Sequence, residues 1–195
     1  KIKSKYENIF DFAWKFQFRD IPTFIHKDYH DRMEIKYVKR FKETKLSRTD
    51  FQILKDLAEQ KGFKTLCTGF DEPSIDLIES MGFNIIKVAS CSLTDWPLLE
   101  RISLTEKPII ISTAGGTSID VDRVVTFFKN RKKEISLMHC VGEYPTNPKN
   151  LNLNQIKLLK NRFSEIPIGY STHEEPNEFR AIQMAFALGA DIAEK

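Results

Sequence analysis

The sequence predicts an α/β fold built from parallel βα units, a (β/α)8 TIM-type barrel whose first strand is missing from this chain. Three observations carry this. Apolar runs of strand length alternate with segments of helical period, and after one long connection the strand starts recur roughly 20–30 residues apart. Several runs, such as Ile85-Ile86-Lys87-Val88 and Pro108-Ile109-Ile110-Ile111, are almost continuously apolar, as strands covered on both faces require. The runs end in polar residues, which suits one shared mouth at the carboxyl ends of the strands. A doubly wound sheet also fits the alternation. It would gather its site at one switch point and often carries a Gly-rich turn; no G-x-G-x-x-G is present, and Gly115-Gly116 alone is a weak signal.

Taken in order, Phe12-Ala13-Trp14-Lys15-Phe16-Gln17-Phe18 reads as the first strand, with Lys15 and Gln17 on one face. A basic connection from Arg19 to about Leu46 exceeds an ordinary loop, so it is functional or partly helical; its His26 and His30 read as solvated loop residues. Thr49-Asp50-Phe51-Gln52 fits a capping box opening a helix with Phe51, Leu54, Leu57 and Ala58 inward, stopped by Gly62. Phe63 to Thr68 is a strand. Glu72 to Met81 is a helix with Asp71 as N-cap, Pro73 in its first turn and Gly82 as its stop. Phe83 to Ala89 is a strand, Trp96 to Ile102 a short helix and Pro108 to Ile111 a strand. Ser118 to Arg131 is a helix facing inward with Val121, Val124, Val125 and Phe128. Ile135 to Cys140 (strand), Leu153 to Arg162 (helix), Ile166 to Ser171 (strand), Asn177 to Leu188 (helix) and Asp191 to Glu194 (strand) complete the series. The whole chain, residues 1–195, reads as a single, partial barrel domain.

Composition excludes several classes. Of 195 residues, 41% are hydrophobic and 29% charged, ordinary values for a globular domain with a buried core. A net charge of +3 is too small to point to nucleic acid, although lysines gathered in a pocket would still attract an anion. No apolar run reaches membrane-spanning length. Three widely spaced cysteines, Cys67, Cys91 and Cys140, contain no C-x-x-C pair; a reducing, cytoplasmic compartment is the expectation. The start at Lys1 and the stop at Lys195 read as a piece of a longer protein.

A mouth at the strand ends would collect Lys15 and Gln17, Cys67 and Thr68, Lys87 and Ser90, Ser112 and Thr113, His139 and Tyr144, Ser171 and His173, and Glu194. Lysines with hydroxyl donors around a cavity suit a small phosphorylated or carboxylated substrate. Lys87 is the most informative: inside an apolar strand it needs a counter-charge, a snorkelling path or a ligand. His173 is placed to ligate a metal, to act as acid or base, or to cap the next helix. His139 reads as core or supporting. No G-x-S-x-G elbow is present, which excludes the usual serine hydrolase pattern.

Read in order, these pieces resemble the sialic acid synthase family, whose members condense phosphoenolpyruvate with an N-acetylated sugar aldehyde to form nine-carbon acidic sugars. The likeness runs from Trp14-Lys15-Phe16-Gln17 to Gly189-Ala190-Asp191-Ile192-Ala193-Glu194-Lys195. Its specific pieces are Lys15-Phe16-Gln17, Cys67-Thr68-Gly69-Phe70-Asp71, Lys87-Val88-Ala89-Ser90, Lys107-Pro108-Ile109-Ile110-Ile111-Ser112-Thr113, His139-Cys140-Val141-Gly142-Glu143-Tyr144-Pro145-Thr146 and Gly169-Tyr170-Ser171-Thr172-His173.

The resemblance implies that Thr68, Lys87, Ser90, Ser112 and Ser171 hold the phosphate of phosphoenolpyruvate and that Lys15 lies near its carboxylate and enol. It implies Gln17 and Tyr144 on the acceptor side, and Lys15, Lys87 and His173 as the catalytic groups. It implies His173 as one of two histidines binding manganese or magnesium; the second follows a Glu-Lys or Glu-Arg pair, so here it would be the residue after Glu194-Lys195 if the parent protein continues. A homodimer with a further C-terminal domain is implied for the full-length protein. The chain departs from the family pattern at Thr172, where Asp is common, at Gly142, where Asn or Ser is frequent, and at Ser92, where an acidic residue is common. The family's catalytic glutamate belongs to a first strand that this chain lacks. Two other readings stay open. One is a related phosphoenolpyruvate–aldose phosphate condensing enzyme, which would need a further basic cluster for the second phosphate. The other is a degenerate barrel serving as a binding module.

Overall fold

The computed structural model describes residues 2–195. The chain divides into two compact units, one ending at Ile86 and one from Lys87 to Lys195.

In the first unit, helix α1 (Ile2–Tyr6), which nothing in the sequence pattern announced, precedes strand β1 (Ala13–Phe18). The long basic connection is partly helical, with α2 (Ile21–Phe24), one 3-10 turn at Lys27–Tyr29 and α3 (Lys36–Glu43). A small core of its own, Ile21, Ile25 and Val38 packed by Phe24, Ile35 and Phe41, explains why so polar a stretch is ordered. Helix α4 (Arg48–Gln60) has its N-cap two residues before the expected one. Ser47 is the N-cap, its Oγ accepting from Asp50 N at 3.1 Å while Asp50 Oδ2 accepts from Ser47 N at 3.2 Å. Strand β2 (Lys64–Gly69) pairs in parallel with β1, placing Lys15 beside Leu66 and Gln17 beside Thr68. Helix α5 (Glu72–Ser80) is capped by Asp71 as the sequence predicts. Phe16, Phe18, Phe51 and Phe83 pack edge to face, with centroids 4.5–6.5 Å apart.

Strand β3 (Ile85–Val88) coincides with the apolar run and is shorter than the expected Phe83 to Ala89. At Asn84 the backbone N–H donates to Thr65 O at 3.0 Å, while the Asn84 side-chain Oδ1 accepts from Thr65 N at 2.7 Å, so a side chain takes one of the two backbone bonds there. In the second unit follow α6 (Trp96–Ser103), β4 (Ile109–Ser112), α7 (Ser118–Asn130), β5 (Ile135–Cys140), α8 (Gln155–Arg162), β6 (Ile168–Ser171), α9 (Arg180–Ala187) and β7 (Ile192–Glu194). Helix α9 begins three residues later than predicted, because the Glu178 carboxylate takes the Arg180 N–H at 2.8 Å. β4 to β7 are parallel, and each pairs with the next in chain order. Parallel strands, each followed by a covering helix and paired in sequence, are the succession of the (β/α)8 class. Leu98, Leu99, Ile102, Val124 and Phe128 from the helices and Ile111, Leu137 and Ile168 from the strands are all fully buried. Among the described residues no helix is long and apolar enough to cross a membrane.

Gly169 marks the tightest place in this unit. A Cβ there would fall onto Met138 Sδ and lie 2.8 Å from both Ile192 Cβ and the Ile192 carbonyl oxygen. The sulfur can swing away, but the backbone oxygen moves only if β6 parts from β7. Gly169→Ala is therefore expected to lower stability by about 1–3 kcal/mol, read from the urea midpoint at unchanged slope.

Candidate active site

The strand ends of the second unit bring together the groups that carry chemistry. Ser112, Cys140, Ser171 and Glu194 are the last residues of β4, β5, β6 and β7, and Lys87 is the third residue of β3. The register sets Cys140 beside Ser171 and Ser171 beside Glu194. Because side chains alternate along a strand, these residues share one face while His139 and Tyr170 turn to the other.

Lys87 is buried, and its Nζ forms an ion pair with Glu194 Oε2. The other carboxylate oxygen of Glu194 accepts from Ser171 Oγ at 3.3 Å. The sequence raised the need for a counter-charge at Lys87 and named Glu194 as a strand-end residue, but the pairing of two residues 107 positions apart was not legible in it. Ser90 Oγ lies 3.1 Å from Cys140 Sγ and accepts from Ala114 N at 3.2 Å. Ser112 Oγ is buried with no hydrogen-bond partner, an orphan donor at the mouth of the strands. These strand ends thus gather the hydroxyls of Ser90, Ser112 and Ser171 around a buried ammonium–carboxylate pair.

His173 follows β6 and is held from two sides. Its Nδ1 lies 2.8 Å from the Val141 carbonyl oxygen. A carbonyl only accepts, so Nδ1 carries the proton and Nε2 the lone pair of the neutral ring. The Tyr144 ring lies over the imidazole at a centroid distance of 4.2 Å while remaining 73% exposed. Thr146 N donates to His173 O at 2.9 Å, tying the loop after β5 to the loop after β6. The Tyr144–Pro145 peptide is cis.

Behind this face, His139 stacks on Tyr170 at 5.8 Å and donates from Nε2 to the Leu151 carbonyl at 2.8 Å. Tyr170 OH donates to buried Glu174, a pairing the sequence reading missed, although a tyrosine four residues before a glutamate at a strand end was its available signal. His139 is core, as the sequence suggested. Burial holds its pKa below the ordinary 6.5, so the folded state favours the neutral ring. A depressed histidine pKa gives stability that is present above about pH 6.5 and lost as pH falls through the folded value. The wild type is expected to lose more stability than His139→Gln between pH 7.5 and pH 5.5, measured by urea unfolding; equal losses would contradict it.

In the first unit, Thr68 is buried at the end of β2 and Lys15 half-buried on β1. Gln17 is exposed, and its Oε1 accepts from Arg19 Nη2 at 3.2 Å. Burial also pushes the Cys67 thiol well above its usual range, which marks it as inert packing. His26 is exposed, whereas His30 is half-buried and bonded to the Ile25 carbonyl at 2.5 Å rather than solvated.

The sequence profile of the NeuB family matches residues 10–195. The chain belongs to the NeuB family. It is 32% identical over 189 residues to the N-acetylneuraminate-9-phosphate synthase of Drosophila melanogaster, covering 93% of this chain and 50% of that protein. A crystal structure from Chromobacterium violaceum superposes with a TM-score of 0.93 at 50% identity, over 96% of this chain and 56% of that one. The N-acetylneuraminic acid (sialic acid) synthetase of Leptospira borgpetersenii, solved in complex with citrate, gives a TM-score of 0.82 at 30% identity, over 94% and 61%. The chain thus spans roughly half the length of its NeuB relatives and shares their TIM-barrel type of α/β fold.

Proposed function

We propose that this NeuB chain is the catalytic barrel part of an enzyme that joins phosphoenolpyruvate to an N-acetylated amino-sugar aldehyde resembling N-acetylmannosamine. The products are a sialic-acid-type nonulosonate and phosphate. The observation that carries this reading is the buried Lys87–Glu194 pair, with Ser171 on its carboxylate and the orphan hydroxyl of Ser112 at a neighbouring strand end.

Lys87, Ser90, Ser112 and Ser171 hold the phosphate, an arrangement in which a desolvated ammonium and hydroxyl donors replace water. Entry of the phosphate draws Lys87 away from Glu194, whose carboxylate keeps Ser171 oriented. Tyr144, exposed and lying over His173, offers the acceptor an aromatic face. Lys15, Thr68 and Gln17 carry the roles the resemblance implies on sequence match alone. C3 of phosphoenolpyruvate bonds to the aldehyde carbon and the aldehyde oxygen takes a proton. Water adds at C2, and C2 then expels phosphate to become the ketone.

His173 fits a metal ligand, because its Nδ1 proton is engaged by a carbonyl and its Nε2 is left as the donor nitrogen. No group of three or more histidine, cysteine or carboxylate side chains is arranged for a metal among the described residues. His173 is the residue we assign to manganese or magnesium, which would supply Lewis-acid polarisation of the aldehyde when bound. The full-length protein, incubated with phosphoenolpyruvate, manganese and N-acetylmannosamine, is expected to release one phosphate per nonulosonate detected by mass spectrometry. Phosphate release that is the same with and without any N-acetylated hexosamine would overturn the proposal.

A further inference from the structure

Ser90 opens the 3-10 turn Ser90–Ser92 that follows β3. The turn is set closely against the loop after β4, because a Cβ at Gly116 would fall onto Leu93 Cδ2. That loop is itself tied to β5: Thr113 donates to the Met138 carbonyl from its N at 3.1 Å and from its Oγ1 at 3.0 Å. Ala114 N, the next donor in the loop, reaches Ser90 Oγ at 3.2 Å. Cys140, the last residue of β5, brings its Sγ to 3.1 Å from the same oxygen. Cys140 is 5% exposed, whereas Ser90 is half-buried, so Ser90 is the more open of the two to a ligand.

The hydrogens decide what this contact does. A hydroxyl has one hydrogen and two lone pairs, and a thiol is one weak donor and a weak acceptor. Ala114 N fills one lone pair of Ser90. Two arrangements remain for the contact with Cys140. In one, Ser90 donates to the sulfur, and its only hydrogen is engaged there. In the other, the thiol donates to the second lone pair of Ser90, and the serine hydrogen is left for a third partner. An ionised phosphate oxygen only accepts, so Ser90 can bind it in the second arrangement alone. With both lone pairs filled, the hydroxyl hydrogen has one direction left to point. Alanine at position 140 would leave that rotor unfixed.

We infer that Cys140 is a positioning residue of the phosphate site: its thiol donates to Ser90 Oγ and so directs the Ser90 hydrogen to the phosphate of bound phosphoenolpyruvate. The inference rests on the condensing reaction proposed above, in which Ser90 holds that phosphate. Cys140 acts through Ser90 alone. Only the thiol and hydroxyl hydrogens turn when the ligand enters, and no covalent bond changes.

Calorimetric titration of phosphoenolpyruvate into the full-length protein compares the wild type with Cys140→Ala, Cys140→Ser and Cys91→Ser. Cys140→Ala is expected to weaken binding roughly 3- to 10-fold, the effect of losing one hydrogen bond from a weak donor. Cys140→Ser keeps a donor in the same place and should bind within about twofold of the wild type. Cys91→Ser, which alters the exposed thiol of the same turn, should do the same. Unchanged binding in Cys140→Ala would overturn the inference. So would Cys140→Ser binding as weakly as Cys140→Ala, which would mark packing rather than a donated hydrogen. Infrared spectra give a second reading: the S–H stretching band that is missing from Cys140→Ser should move to lower frequency when phosphoenolpyruvate binds the wild type. A band that stays in place while the ligand binds would overturn the inference and leave the condensing reading standing. A wild type that binds no phosphoenolpyruvate would overturn both.

Discussion

Truncating Glu194 to alanine is expected to cost about 3–5 kcal/mol of stability, the cost of leaving one member of a buried ion pair without its partner. Lys87 and Glu194 have side chains only 6% and 16% exposed, so neither is solvated well enough to stand alone. Their attraction must first repay two desolvation penalties, and for that reason the pair itself is not the source of the loss. The double variant Lys87→Met/Glu194→Leu removes both charges and keeps most of the volume. It is expected to fall within about 1 kcal/mol of the wild type or to exceed it. Urea unfolding of the wild type, Glu194→Ala and the double variant reads both quantities. A single Glu194→Ala loss below about 1 kcal/mol would mean that water reaches Lys87, and the pair would not be the buried one described above.

His173→Ala in the full-length protein is expected to abolish metal-dependent turnover and to weaken manganese binding by about 100-fold or more, with the far-UV spectrum unchanged. The Val141 carbonyl fixes the tautomer, Tyr144 covers one face of the ring, and Thr146 N anchors the His173 carbonyl. The imidazole is thus aimed by three contacts that do not use Nε2. His173→Gln keeps some polarity but not the nitrogen donor and is expected to behave like alanine. Manganese bound equally by wild type and His173→Ala would return His173 to a role in joining the loops after β5 and β6.

The fold was legible because its signals are local. Apolar runs between helical patterns located all seven strands, and Asp71, Gly62 and Gly82 marked helix ends where the structure has them. Boundaries moved wherever a side chain took over a backbone partner: Ser47 with Asp50, Asn84 with Thr65, Glu178 with Arg180. Helices α2 and α3 escaped a firm reading because their stability comes from Ile21, Ile25 and Val38 packing on one another, a tertiary effect that overrides a lysine-rich composition. At the site, Lys87, Ser112 and Ser171 could be placed from strand ends alone. The Lys87–Glu194 pair, the Ser90–Cys140 contact and the tilted Tyr144–His173 ring contact depend on register between distant strands and loops, which a single sequence does not encode in readable form.

Under the proposed function, Lys87 is the ammonium that holds the phosphate of phosphoenolpyruvate. Calorimetric titration of phosphoenolpyruvate into the full-length protein and into Lys87→Met tests this most directly. The prediction is a loss of about 2–5 kcal/mol in binding free energy, as expected when a desolvated charge partner is removed. An affinity unchanged by Lys87→Met, in a variant that still folds, would contradict it and leave Lys87 as the structural partner of Glu194 alone.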